Sequence, residues 1–248
     1  MPMSKRSWWK VLQHWIQGRP MDLKRLAAER AADFLSDVKV LGLGTGSTAA
    51  HFAEVVAERR HAGELADLVA VPTSIQTQRL AERLEIPLST LDQHGRMDLT
   101  VDGADEVDPQ LDLIKGHGGA LTREKIVAFA STRVVIIVDE SKIVGRLGER
   151  VTVPVEIVQF GWKVTRERLI EIGASCTLRE TGEGPYVTDQ GNYIIDCGFG
   201  EALSTPGPIA SAINNLPGVV EHGLFLGVAD HVVVAAEGGA RVLDRVRP

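Results

Sequence analysis

The chain has 248 residues and a formal net charge of −6, with 44% hydrophobic and 24% charged residues, an ordinary composition for a globular protein with room for one large core or two small ones. The acidic balance argues against a nucleic-acid partner, which needs a basic face, but it leaves room for a local positive pocket that takes a small anion. No apolar run is long enough for a membrane span, and two cysteines without metal-ligand spacing, Cys176 and Cys197, read as core thiols in a reducing cytoplasm.

Taken in chain order, the first segment is "SKRSWWKVLQHWIQGRP". Trp8, Trp9 and Trp15 are three of the four tryptophans, and with Val11, Leu12 and Ile16 they recur at helical spacing. It lacks the long apolar stretch and cleavage site of a signal peptide. A peripheral membrane or docking helix is one reading; a loose or packed extension over 1–20 is the one adopted. A natural start at Met21 is a further expectation. Beyond it, Leu23, Leu26, Ala27, Ala31, Phe34 and Leu35 line one side of a helix. Apolar strands and helical stretches then alternate: "VKVLGL", a helix with Phe52, Val55 and Val56, "DLVAVPTS", a helix through Leu80 and Leu84, "MDLTVDGADEVD" and "RVVIIVDESK". This alternation predicts an α/β fold, a parallel sheet covered by helices. After Arg150 the pattern changes to "VTVPVEIVQF", a helix at "TRERLIEIG", "CTLRE", the turn-rich "TGEGPYVTDQGNYIIDC" and a helix at "GPIASAINNLPG", as in a smaller α+β domain. The terminal "DHVVVAAEGGARVLDR" is strand-like and rejoins the first sheet. The division is therefore an extension at 1–20, a large domain of 21–150 and 229–248, and a smaller domain of 151–228.

The first candidate site is "VLGLGTGSTAAHF", where a strand runs through alternate glycines into a helix. No Lys follows Gly46, so a Walker loop is excluded. Gly44-x-Gly46-x-x-Ala49 satisfies the permissive dinucleotide pattern, but Asp67 precedes the second strand instead of ending it. An anion nest at a helix N-terminus, with Ser47 and Thr48 as added donors, and a plain capped turn both remain. In "DGADEVD", Asp102 and Asp105 are expected to face the crevice at the strand ends, and Glu106 and Asp108 to meet solvent. A calcium loop lacks its closing Glu, and flanking Val101 and Val107 suggest a sheet edge. Lys115 opens "KGHGGALTREK", whose helix carries Glu124 in its first turn. That carboxylate is either a partner of the helix dipole or a base for a proton beside a carbonyl, with the lysine stabilising charge on oxygen. Lys142 brings a further cation to a strand end.

Together, "GLGTGSTAAHF", "VDGADEVD", "LIKGHGGALTREKI", "VDESK", "PVEI", "VTDQGNYIID" and "PGVVEHGLF" resemble, in order and spacing, the type A ribose-5-phosphate isomerases. The resemblance implies a Rossmann-like large domain, a smaller α+β domain, and a homodimer or homotetramer. It also implies a cytoplasmic enzyme that converts ribose 5-phosphate and ribulose 5-phosphate through an enediolate, without cofactor or metal. Glu124 then matches the base, Lys115 the cation near the reacting oxygens, and Asp102 and Asp105 the acids that relay hydroxyl protons. Lys24, Thr45, Gly46, Ser47, Thr48, Gly103, Ala104, Gly116, His117, Gly118 and Lys142 match substrate-binding positions. His117 departs from the family's run of glycines. The resemblance implies a sugar phosphate as sole partner, with neither nucleic acid nor membrane. A sugar-phosphate sensor, which needs a DNA-binding helix pair, and a related deaminase-isomerase or lactonase are the rival classes.

Overall fold

The apolar strands assemble into one six-stranded sheet in the computed structural model, which describes residues 22–246. The readings made for residues 1–20 and for Met21 lie outside the described residues. Helix α1 (Leu23–Ala31) is capped by Asp22, whose carboxylate accepts from the Lys24 and Arg25 amides, and it tightens into a 3-10 turn through Leu35. There follow β1 (Val40–Leu43), α2 (Ser47–His61), β2 (Val69–Pro72), α3 (Ile75–Arg83, capped by Ser74) and β3 (Leu99–Asp102). Short strands β4 (Glu106–Val107) and β5 (Leu113–Ile114) lead to α4 (Leu121–Phe129) and β6 (Val134–Asp139).

The sheet order is β15-β14-β6-β3-β1-β2, where β14 (His231–Ala236) and β15 (Gly239–Asp244) are the chain's last strands. All neighbours run parallel except the terminal β14–β15 hairpin. The terminal segment thus contributes two strands to this sheet. β6 shows why the sheet is buried on both sides: Val135 and Ile137 pack towards α1 and α2, and Val134, Ile136 and Val138 face the opposite layer with Ala128 of α4.

Between α4's layer and the terminal hairpin the chain builds an antiparallel sheet of order β12-β7-β11-β8. Its strands are β7 (Val153–Ile157), β8 (Ser175–Leu178), β11 (Tyr193–Gly198) and β12 (Val219–His222). The hairpin β9 (Glu180–Thr181) and β10 (Gly184–Pro185) projects beside it. Helices α5 (Trp162–Glu171) and α6 (Pro206–Asn214) close a separate core around Val153, Val155, Leu169, Ile195 and Ile213. Cys197 is buried and Cys176 half-buried in this unit, both as free thiols. A third small sheet, β13-β5-β4 with β13 at Leu224–Phe225, joins the two regions.

Strand order locates the functional crevice. From β1 the chain passes through α2 to β2 on one side and then through α3 to β3 on the other, so the order reverses at the carboxyl end of β1. Ligands bind open α/β sheets at such a reversal, where adjacent loops part.

Candidate functional site

The loops that leave β1 and β3 at this reversal carry Gly44–Thr48 and Asp102–Asp105. The three alternate glycines of the first loop do different things. A Cβ on Gly42 would lie 1.9 Å from Thr100 Oγ1, and one on Gly44 would lie 2.3 Å from Asp102 Oδ1, so these two let β3's side chains press against β1. Only Gly46 faces open space, with φ +106, immediately before α2 begins at Ser47. The nest reading therefore narrows to Gly46 and the first turn of α2.

Thr45 turns inward. Its hydroxyl joins those of Thr73, Ser74 and Thr77 at 2.7, 2.8 and 3.0 Å, and its amide donates to Asp102 Oδ1 at 3.0 Å. Lys24 reaches over from α1 and donates to Ser47 Oγ at 2.9 Å. Lys24, Ser47, Thr48 and Lys142 bring cations and donors to the lining of a cleft of about 210 Å³. That is smaller than the roughly 300–1,000 Å³ typical for drug-sized ligands.

The same cleft is lined by Asp105, Lys115 and Glu124. Lys115 Nζ lies 3.2 Å from Asp102 Oδ2 and 3.4 Å from Glu124 Oε1, and donates to Gly103 O at 2.5 Å. All three side chains are almost wholly buried. Burial alone would lower Lys115's affinity for its proton, but Asp102, Glu124 and Asp105 together hold it above the ordinary lysine value. Asp102 also accepts from the Thr45 and Gly103 amides. It does not line the cleft, as the sequence suggested, but sits behind Lys115 and fixes its ammonium. Glu124 Oε2, by contrast, is buried with no hydrogen-bond partner. Burial pushes the Glu124 carboxyl up, to about 8, against the attraction of Lys115, and the Asp102 and Asp105 charges push the same way. Among the described residues, no three His, Cys, Asp or Glu side chains gather as a metal cage.

Larger hollows lie elsewhere, of about 430 Å³ against Phe129 and about 540 Å³ beside Asp33. The smaller cleft is the candidate site because, among the described residues, it alone joins a helix N-terminus, separate cations and a buried acid–base cluster.

Residues 69–239 match the family model for ribose 5-phosphate isomerase A (phosphoriboisomerase A). The chain belongs to the ribose 5-phosphate isomerase A family. Over 222 residues it is 51% identical to the ribose-5-phosphate isomerase A of Roseiflexus castenholzii, covering 89% of this chain and 94% of the relative. It is 47% identical to the probable ribose-5-phosphate isomerase 3, chloroplastic, of Arabidopsis thaliana, covering 90% of this chain and 83% of that one. A solved D-ribose-5-phosphate isomerase in complex with phospho-erythronic acid superposes with a TM-score of 0.88 at 42% identity, covering 90% of this chain and 98% of that one.

In this isomerase A chain, Lys24, Thr45, Gly46, Ser47, Thr48, Gly103, Ala104, Asp105, Lys115, Gly116, Gly118, Glu124 and Lys142 line the cleft, and Asp139 joins them. His117 does not: its ring points away, with Nε2 3.1 Å from Thr152 O, while its amide donates to Asp105 Oδ2 at 3.0 Å. Its φ is negative; Gly116 and Gly119 supply the left-handed positions on either side, which is why a histidine fits in the glycine run. Glu106 and Asp108, expected in solvent, are buried. Glu106 accepts from the Gly148, Arg150 and Val151 amides, and Asp108 from those of Gln110 and Asp112, so both are backbone anchors. Val101 lies on an inner strand, not at a sheet edge. The sequence reading missed Gly223, whose carbonyl receives the Lys115 amide at 2.9 Å and where a Cβ would lie 2.2 Å from Lys115 O. Its place in "PGVVEHGLF" was the available signal.

Proposed function

We propose that this cleft interconverts ribose 5-phosphate and ribulose 5-phosphate through an enediolate, a reading supported by relatives named ribose-5-phosphate isomerase. The phosphate belongs at the α2 N-terminus, where helix amides, Ser47, Thr48, Lys24 and Lys142 offer donors and positive charge. The sugar's first two carbons then lie towards Lys115 and Glu124. Glu124 takes the proton from C2 of the open-chain aldose, and the electron pair moves through the new C1–C2 double bond onto O1. Lys115 stabilises that oxygen, Asp105 passes the O2 hydroxyl proton to O1, and Glu124 returns its proton to C1. Asp102 keeps Lys115 charged and in place.

The observation that carries this reading is the unpartnered Glu124 Oε2 beside the Lys115 ammonium. A carboxylate with one oxygen anchored and the other free, raised in basicity by burial, suits abstraction of a weakly acidic carbon-bound proton. Incubation with ribose 5-phosphate should yield a ketopentose phosphate, with exchange of solvent deuterium into the product. A protein that forms no ketose leaves the sensor and the deaminase-isomerase or lactonase readings in its place.

The same proposal includes a homodimer or homotetramer and a cytoplasmic location. Exposed Ile126 and Phe129 support the first and two free cysteines the second. Among the described residues no helix is long and apolar enough to cross a membrane. Fractionation of cells carrying the natural gene tests the location; a membrane or secreted pool is the contrary result.

A further inference from the structure

Between Lys115 and Glu124 the chain makes the glycine loop 116–119, and this loop is held from outside the cleft. Arg179 lies just past β8, with its backbone pinned on both sides: its amide donates to Ile194 O and its carbonyl accepts from the Tyr186 amide, each at 2.8 Å. Its guanidinium forks onto Asp196 of β11, Nε to Oδ2 at 2.9 Å with the second nitrogen on Oδ1. The remaining terminal nitrogen donates to two successive loop carbonyls, Gly116 O at 2.9 Å and His117 O at 3.0 Å. Tyr186 stands against Gly119, where a Cβ would lie 2.2 Å from its hydroxyl oxygen.

In a trans peptide the carbonyl and the next residue's N–H point in opposite directions. With Gly116 O turned to Arg179, the His117 amide points the other way, to Asp105 Oδ2. With His117 O turned to Arg179 as well, the Gly118 amide is likewise directed to the cleft side of the loop, where Gly118 is a lining residue. One guanidinium nitrogen that binds both carbonyls holds two consecutive peptide planes at once. Asp196 in turn fixes the plane of the guanidinium.

We propose that Arg179, held by Asp196, is a positioning residue for the isomerisation: it orients the 116–118 peptides so that the Gly118 N–H donates to the oxygen that becomes negative in the enediolate. The inference rests on the isomerase reading above and adds a donor from a different part of the fold. The loop's peptide direction is set from two sides, by Arg179 just past β8 of the antiparallel sheet and by Asp105 beside the strand that carries the acids. Arg179 touches no reacting atom; its effect passes through the loop.

The test compares Arg179→Met, Arg179→Lys and Asp196→Asn with the parent protein in steady-state kinetics, with inorganic phosphate and phospho-erythronic acid as inhibitors. Loss of one preorganised oxyanion donor costs about 100- to 1,000-fold in turnover. Arg179→Met should approach the lower figure in kcat, with KM changed less than about threefold because the phosphate end is untouched. Affinity for phospho-erythronic acid should fall with kcat, and affinity for inorganic phosphate should stay. Arg179→Lys should recover part of the loss, and Asp196→Asn should show a smaller loss of the same kind. Unchanged kcat in Arg179→Met overturns the proposal, as does equal weakening of both inhibitors, which marks a brace for the whole site. If Arg179→Met does not fold, full kcat in both other variants overturns it. An inactive parent would overturn the isomerase reading instead, and the two inhibitor affinities would still report on Arg179.

Discussion

Glu124 holds its two oxygens in different states: Oε1 faces Lys115 at 3.4 Å and Oε2 is buried without a partner. That asymmetry is costly in a purely structural residue, because a buried unpaired acceptor destabilises a fold by about 1–3 kcal/mol. Glu124→Gln removes the base while keeping the shape, so kcat should fall about 100- to 10,000-fold with little change in melting temperature. A variant that turns over near the parent rate would show that another group moves the proton. The pH profile gives a second prediction. The base acts when ionised, and burial raises its pKa from the ordinary carboxylate value to about 8 in the free protein. kcat/KM should therefore climb as pH rises, along a limb well above pH 4.5 and approaching 8. A flat profile down to the ordinary carboxylate range would mean that Glu124 keeps an unperturbed acidity. Sequence alone identified Glu124 and Lys115 as a pair, since both flank one glycine loop. It did not reveal that Asp102 sits behind the lysine, because the depth of a side chain depends on strand pairing across residues far apart in the chain.

The strand-to-helix element that carries the first glycines combines two requirements that look alike in sequence. Gly44 is a space requirement: its absent Cβ leaves room for Asp102, whose Cα would stand 2.5 Å away. Gly46 is a conformational requirement, with φ 106 and ψ 176 and nothing nearby. Gly44→Ala should therefore cost about 1–3 kcal/mol of stability by overpacking and should also lower kcat, because Asp102 and Lys115 are displaced together. Gly46→Ala places a side chain in a backbone region used almost only by glycine, at about 1–3 kcal/mol of strain. Its kinetic effect should fall mainly on KM, since the phosphate end moves and the acids do not. Thermal unfolding with kcat and KM for each variant separates the two; identical kinetic profiles would show that one cause serves both glycines. The anion-nest expectation came from reading the three glycines as one local unit. Two of them answer to β3, a strand more than fifty residues away, and no spacing rule within the loop can show that.

At the scale of the whole molecule, strand alternation was enough to predict the parallel sheet, because each parallel strand carries its own apolar run and its own crossover helix. The burial of Glu106 and Asp108 was not legible, since a carboxylate that anchors backbone amides looks in sequence like a solvated one. Helix α4 leaves a further signature that sequence periodicity alone does not settle. Val127 and Ala128 are buried against the sheet, and Glu124 points into the site from the first turn. Ile126 and Phe129, 51% and 70% exposed, line the hollows on the outer side. An exposed aromatic and a β-branched residue on the helix that carries the base are a poor surface for a monomer and a good centre for an interface. If α4 is where copies of the chain meet, Phe129→Lys should shift sedimentation towards the monomer, and Phe160→Lys, at an exposed phenylalanine on another element, should not. Burying α4 in an assembly would also stiffen the helix under Glu124, so the dissociated variant should lose kcat at low protein concentration and keep its KM. A parent protein that sediments as a monomer, or a Phe129→Lys variant that assembles like the parent, would remove α4 from the interface.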